Sequence, residues 1–153
     1  MGVHAQKWLA GLAALLLAAC ASDGQAESKS GAREALVSGL ASPSRPLADR
    51  ERDADRKPAD LMMIFGVERG MTAVDIMAGG GFMTAVLSVA VGSEGKVYAQ
   101  NQAANTALGE RLAGGRLANV VPITGDLSAI PPDSADVVIT VMNLHDVYNS
   151  AGS

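Results

Sequence analysis

One stretch constrains the chain more than any other. Met71 to Met77 (MTAVDIM) runs straight into Ala78-Gly79-Gly80-Gly81, and Phe82 to Val91 follows without a break. The first segment reads as a buried strand. The last places Met83, Val86, Leu87 and Ala90 at i, i+3, i+4 and i+7, one face of a helix. Glycines between a strand and a helix let the backbone come close to a ligand, and the helix start offers free N–H groups and partial positive charge to an anion. The alternation then continues. Gly92-Ser93-Glu94-Gly95 turns the chain, Lys96 to Gln100 (KVYAQ) is a second strand, and Ala103 to Ala113 is a helix with Ala104, Leu108 and Leu112 on one side. Gly114-Gly115 ends it. Asn119 to Thr124 (NVVPIT) is a third strand, put at a sheet edge by Pro122, which cannot donate to a ladder. Ala135 to Met142 (ADVVITVM) is a fourth. Such an order predicts the α/β class, a mainly parallel sheet with right-handed crossover helices.

Upstream, Ala32, Leu36 and Leu40 recur at helical spacing, and Ser42-Pro43-Ser44-Arg45-Pro46 breaks the helix. Leu47 to Lys57 mixes both charge signs. It reads as a solvated, helix-prone run or, through Arg52 or Arg56, as a cap on a substrate pocket. Pro58 suits the first position of a helix whose apolar side is Leu61, Met62, Ile64 and Phe65, and Gly66 stops it.

The N-terminus follows a different logic. Lys7 gives a basic head, and Trp8 to Ala19 carries no charge. A bilayer span needs about 20 apolar residues, so this run is too short to cross. It matches the apolar region of an export signal. Leu17-Ala18-Ala19-Cys20 resembles a bacterial lipobox and holds the only Cys in the chain. An uncleaved anchor, or a plain signal with a coincidental Cys, is the alternative. Gly2 suits N-myristoylation poorly, because Gln6 stands where Ser or Thr is required. The expected organisation is a signal peptide over 1–19, a lipidated Cys20 with flexible tether and short helix over 20–46, and a folded domain over 47–153. Ala21 after the Cys, in place of Asp, implies outer-membrane delivery in a Gram-negative host. The expected location is therefore the cell envelope, on the periplasmic face. One Cys and two His exclude a multi-Cys or His-rich metal centre, so no metal is expected. A net charge of −4 argues against a nucleic-acid partner.

Two ligand classes use a glycine-rich turn from strand to helix, dinucleotides and S-adenosylmethionine. The dinucleotide fingerprint G-x-G-x-x-G/A is met at Gly79 and Gly81 but has Thr84 at its third site. The wider pattern points to the other class. Val74-Asp75-Ile76-Met77-Ala78-Gly79-Gly80-Gly81-Phe82 resembles the first motif of class I S-adenosylmethionine-dependent methyltransferases. Gly95-Lys96-Val97-Tyr98-Ala99-Gln100-Asn101 resembles that family's second strand, Gly125-Asp126-Leu127 its acidic motif after the third, and Ala135-Asp136-Val137-Val138 the start of its fourth. Asp53-x-x-Arg56-Lys57-Pro58 and Asn143-Leu144-His145-Asp146 also resemble an exported bacterial branch of methyltransferase-like proteins.

The resemblance spans roughly residues 47 to 150. It implies a partial Rossmann-like methyltransferase fold, S-adenosylmethionine as cofactor, and methyl transfer to an unidentified acceptor. It also implies that the turn Gly79-Gly80-Gly81 lines the methionine half of the cofactor, that Asp75 helps to hold its ammonium, and that Asp126 accepts from the adenine amino group. Asn101 stands where the family places an acid on the ribose, and Met77 where it usually has Gly. An Asn offers one acceptor oxygen and loses charge assistance. Asn143, His145 and Asp146 follow the fourth strand and are the candidates for acceptor contact, with His145 as base. Plainer roles stay open beside these: a bare glycine turn, a polar turn residue at Asn101, a turn cap at Asp126, and a His145–Asp146 pair that caps the strand end.

Ser153 falls just beyond the fourth strand, whereas the family's fold continues. A truncated product is expected, with Val137 to Met142 as an apolar edge open to self-association. Location adds a second tension, because S-adenosylmethionine is a cytosolic metabolite and the lipobox exports the domain. Three readings therefore stand. The first is an S-adenosylmethionine-dependent methyltransferase, inactive if truncated. The second is a non-catalytic envelope lipoprotein that retains the fold as a binding or structural module. The third is an NAD-binding oxidoreductase.

Overall fold

The computed structural model describes residues 29–143 together with His145 and Asn149. The export-signal run, Cys20 and Asp146 lie outside the described residues. The chain divides into two units, Met1–Ala35 and Leu36–Ser153. Residues 29–35 of the first are helical. The second opens with helical residues 36–40 (α1), then α2 (Leu47–Arg56), α3 (Pro58–Ile64), β1 (Thr72–Ile76) and α4 (Phe82–Val91). There follow β2 (Lys96–Asn101), α5 (Thr106–Leu112), β3 (Val120–Thr124) and β4 (Val137–Ile139).

The four strands form one parallel sheet in the order β3-β2-β1-β4. Pro122 sits on the edge strand β3, as its missing N–H requires. The order runs one way from β1 to β2 and β3, and the other way from β1 to β4. In open α/β sheets such a switch point leaves a crevice at the carboxyl ends of the strands, where ligands bind.

Strand alternation divides the core. Ala73, Val97 and Ile139 project to one face with Val86 and Leu87 of α4 and Met62 of α3. Val74, Tyr98 and Ile123 make a smaller cluster on the other. Met62, Val86, Leu87 and Val91 are wholly buried, each contributing about 1.5–3 kcal/mol by leaving water. Lys57 adopts the left-handed conformation between α2 and α3, because the following Pro58 disfavours continuing the helix. Past α3, Gly66 donates its N–H to the Met63 carbonyl and Val67 to that of Met62, a hook that returns Val67 to the core.

Several element bounds differ from the sequence expectation: β1 is one residue shorter at each end, and β3 starts at Val120. Helix α5 starts at Thr106 because the Asn105 side chain accepts the Leu108 N–H at 3.1 Å, so Ala104 falls ahead of the helix. Strand β2 runs one residue further, to Asn101. Strand β4 is shorter than residues 135–142. Before it, the Asp136 carboxylate accepts the Thr72 N–H at 2.7 Å, and Asp136 gives its own N–H to the Thr72 carbonyl. After Ile139, paired with Asp75, the chain leaves the sheet toward the crevice. Among the described residues β4 pairs with β1 alone, and Val138 is 57% exposed.

Candidate functional site

The turn after β1 is held in an unusual path. Met77 has φ +56, a left-handed value that costs a side chain about 1–2 kcal/mol. Two amides pin it. The Gln100 Oε1 accepts the Met77 N–H at 3.1 Å, and the Asn143 Nδ2 donates to the Met77 carbonyl at 2.9 Å. The glycines that follow have different tasks. Gly79 is left-handed (φ +56), and a Cβ there would meet no protein atom within 4 Å. Gly81 is also left-handed (φ +82), but a Cβ would stand 2.7 Å from Leu108 Cδ1 and 3.1 Å from Arg111 Cδ. Gly79 therefore opens space, while Gly81 lets α5 close on the turn. Gly81 is the N-cap of α4 and provides no side-chain acceptor, so the helix begins uncapped.

Behind this turn lies Asp75, 2% exposed near the end of β1. Its Oδ2 accepts the Thr84 hydroxyl at 2.6 Å. Burial pushes the Asp75 carboxyl up to about 6, and the hydrogen bonds from the Thr84 hydroxyl and backbone offset only part of that. Thr84, which breaks the dinucleotide fingerprint, is thus the partner that orients this acid.

The ends of β2 and β3 are arranged otherwise. The Asn101 Oδ1 accepts the Gly79 N–H at 2.8 Å, and its Nδ2 donates to the Gly79 carbonyl at 3.2 Å. An amide accepts and donates at once, so Asn suits this strut, whereas an ionised carboxylate, which only accepts, does not. Gln100 works in parallel, its Nε2 donating to the Gly125 carbonyl at 2.6 Å. Asp126 is exposed, with Oδ1 accepting the Ser128 N–H at 2.9 Å and the Ser128 hydroxyl at 2.5 Å. Those bonds hold its carboxyl below the usual carboxylate range.

An open cavity of about 780 Å³ sits where β1 and β4 end. Asp75, Met77, Gly79 and Gly80 line it from the β1 side and Asn143 from beyond β4. Arg52 and Arg56 of α2 and Phe82 of α4 line it as well. Arg111 braces the wall. Its Nε donates to the Gly80 carbonyl at 2.8 Å, and its guanidinium pairs with the buried Asp49 of α2. Arg45 makes a second strut, with bonds of 2.6 and 3.1 Å to Asp53 and one of 2.7 Å to the Leu40 carbonyl.

The structure thus brings Asp75, Gly79, Gly80 and Asn143 together at one cavity. Gly81 and Asn101 support its turn from behind. Asp126 lies apart in an exposed turn, and His145 is exposed and not among the described residues that line the cavity. Thr84, Gln100, Arg111 and Asp49 escaped the sequence reading. A Thr two residues into the helix after a strand acid was the signal for the first. The long-range pairing of the others leaves none.

No protein-family model matches the chain, and no curated protein matches it. Solved structures do. A SAM-dependent methyltransferase from Aquifex aeolicus matches at 28% identity and a TM-score of 0.54, over 58% of this chain and 50% of its own. A SAM-dependent O-methyltransferase from Thermotoga maritima matches at 26% identity and a TM-score of 0.49, over 63% of this chain and 38% of its own. The fold assignment rests on the first of these. The domain has a Rossmann-like fold of the class I methyltransferase type. This chain spans half the length of the Aquifex protein.

Proposed function

We propose that the chain binds S-adenosylmethionine in the cavity at the end of β1 and directs its methyl group to a second molecule. The observation that carries this reading is Asp75, a buried carboxylate in the cavity wall with no cationic partner among the described residues. S-adenosylmethionine has an ammonium and a sulfonium, the charge that such an acid lacks. Its carboxylate suits the uncapped start of α4. Gly79, where no side chain intrudes, leaves room beside them. A volume of about 780 Å³ is in the range of small-molecule sites.

When bound, the cofactor supplies a methyl group already activated on sulfur, so the chain's task is placement. Asp75 would hold the ammonium, kept in orientation by Thr84. Asn143 would steady the mouth of the cavity through Met77. Asn101 and Asp126 favour a second reading, a non-catalytic envelope lipoprotein that uses the fold as a binding module, because both spend their side chains on local structure.

Isothermal titration of the full chain with S-adenosylmethionine, and with NAD as comparator, separates the readings. The expected result is binding of S-adenosylmethionine alone, weakened about tenfold or more by Asp75→Asn, as loss of a charged hydrogen-bond partner implies. Absence of heat with S-adenosylmethionine overturns the methyltransferase reading and favours the module.

We further propose that the domain belongs to an exported branch and is tethered by lipid on Cys20 at the periplasmic face, at the outer membrane in a Gram-negative host. Lys7, the uncharged run Trp8 to Ala19, and Leu17-Ala18-Ala19 ahead of Cys20 support this. Among the described residues no helix is long and apolar enough to cross a membrane. Metabolic labelling with tritiated palmitate should mark the wild-type chain and leave Cys20→Ala unlabelled. An unlabelled wild-type chain overturns the anchor.

A further inference from the structure

Three guanidiniums stand over one aromatic ring, that of Arg45 at 5.9 Å from its centre and two more from α2. The Arg56 guanidinium stands 4.9 Å from the centre of Phe82, and that of Arg52 stands 5.6 Å from it. Like charges at i and i+4 destabilise a helix by a few tenths of a kcal/mol, so helix stability gives no reason for the pair. Nor does charge neutralisation. Of the other arginines that line the cavity, Arg45 pairs with Asp53, Arg111 with Asp49, and Arg116 donates to the Glu110 and Arg111 carbonyls, whereas neither Arg52 nor Arg56 pairs with a carboxylate among the described residues. Both line the cavity, and Phe82 beneath them is the first residue of α4, next to the glycine turn. At these distances the ring attracts both guanidiniums by cation–π interaction, which takes none of their N–H donors.

This geometry matters for a site assigned to a cationic cofactor. S-adenosylmethionine carries one net positive charge, so two unmatched guanidiniums beside it raise the cost of binding. A second ligand that brings negative charge removes that cost. We infer that Arg52 and Arg56, stacked on Phe82, form an oxyanion site for the methyl acceptor, so that the acceptor class is a small molecule bearing a carboxylate or phosphate. The inference rests on the cofactor reading for the word acceptor, while the oxyanion site rests on the arginines and Phe82 alone.

Titration of the full chain with phenylphosphate, benzoate and neutral benzyl alcohol tests it, and the first two distinguish phosphate from carboxylate. At least one anion should bind at least tenfold more tightly than benzyl alcohol, with an affinity that falls as salt rises. Arg52→Gln/Arg56→Gln should weaken that anion tenfold or more. Its affinity for S-adenosylmethionine should hold or rise, because two like charges leave the neighbourhood of a cation. Arg52→Lys/Arg56→Lys keeps the charge without the planar fork and should fall between, which guards against a misfolded double variant. Equal binding of anions and benzyl alcohol, or anion binding unmoved by the Gln variant, overturns the site. Parallel loss of S-adenosylmethionine and the anion also overturns it, since the arginines would then serve the cofactor's own carboxylate. If the wild type ignores S-adenosylmethionine yet its anion binding responds to the variants, the cofactor reading falls and the oxyanion site stands.

Discussion

At the end of β1, Asp75 keeps a carboxylate on the cavity wall and Gly79 leaves room beside it. At the ends of β2 and β3, Asn101 and Asp126 turn their side chains onto backbone one turn or one strand away. The two regions hold similar polar residues in similar places, at or just past the carboxyl end of a parallel strand and before a turn. The difference lies in what else is near. Asp75 is buried, answered only by the hydroxyl and backbone of Thr84 and by no cation among the described residues, and so retains an unmet demand for charge. Asn101 meets both the N–H and the carbonyl of Gly79, and Asp126 meets Ser128 and is open to water, so neither holds a buried charge in reserve. On the proposed reading, the strand-end residue open to a ligand is the one whose buried charge the chain leaves unanswered.

Several substitutions test this contrast. The largest loss is expected from Gly81→Val, on the order of 3 kcal/mol by urea unfolding, since it forces a branched side chain into Leu108 at a left-handed φ. Gly79→Ala should cost only about 1 kcal/mol, because strain acts there without a clash. Equal losses at the two glycines would contradict their separate tasks.

Next comes the acid itself. The folded Asp75 carboxyl titrates near 6 and the unfolded one near 3.8, so the native state keeps its proton longer. Its contribution to stability is full below about pH 4, falls as pH rises through 6, and then levels off. The decline amounts to about 3 kcal/mol at roughly 1.4 kcal/mol per pH unit. Asp75→Asn should remove that decline, so the variant gains on the wild type between pH 4 and 7 while losing cofactor affinity. A constant stability difference between them across that window would place the acid in water instead.

Smaller effects sharpen the other side. Asn101→Asp deletes the donor to the Gly79 carbonyl and should cost about 1–2 kcal/mol, again by urea unfolding. A stable Asp variant that binds S-adenosylmethionine more tightly would return the position to ribose recognition. Asp126→Ala should leave cofactor affinity unchanged by calorimetry, and a clear loss would put the adenine role back.

The fold was legible because its determinants are local. Hydrophobic period separates the strands from α4, the Gly92–Gly95 turn separates β1–α4 from β2, and Pro122 places β3 at the edge. The extent of β4 was not legible, since apolar content over residues 135–142 carries no mark of where pairing with β1 stops. Asp75 and the glycine turn could be found from their order along the chain. The duty of Asn101 could not, because its target is a backbone group 22 positions away. The same holds for Arg111, whose partner Asp49 lies 62 positions upstream. The charge run on α2 announced arginines, but only the fold puts Arg52 and Arg56 over Phe82.

The most direct measurement is the proton count on binding. At pH 6 the unliganded chain holds Asp75 about half protonated, and a cation beside it expels that proton. Calorimetry of the full chain with S-adenosylmethionine, in two buffers of different ionisation enthalpy, should report release of up to about half a proton at pH 6, less at pH 8, and none in Asp75→Asn. Binding without proton release, or release that persists in Asp75→Asn, would contradict the assignment of Asp75 as the group that receives the ligand's positive charge.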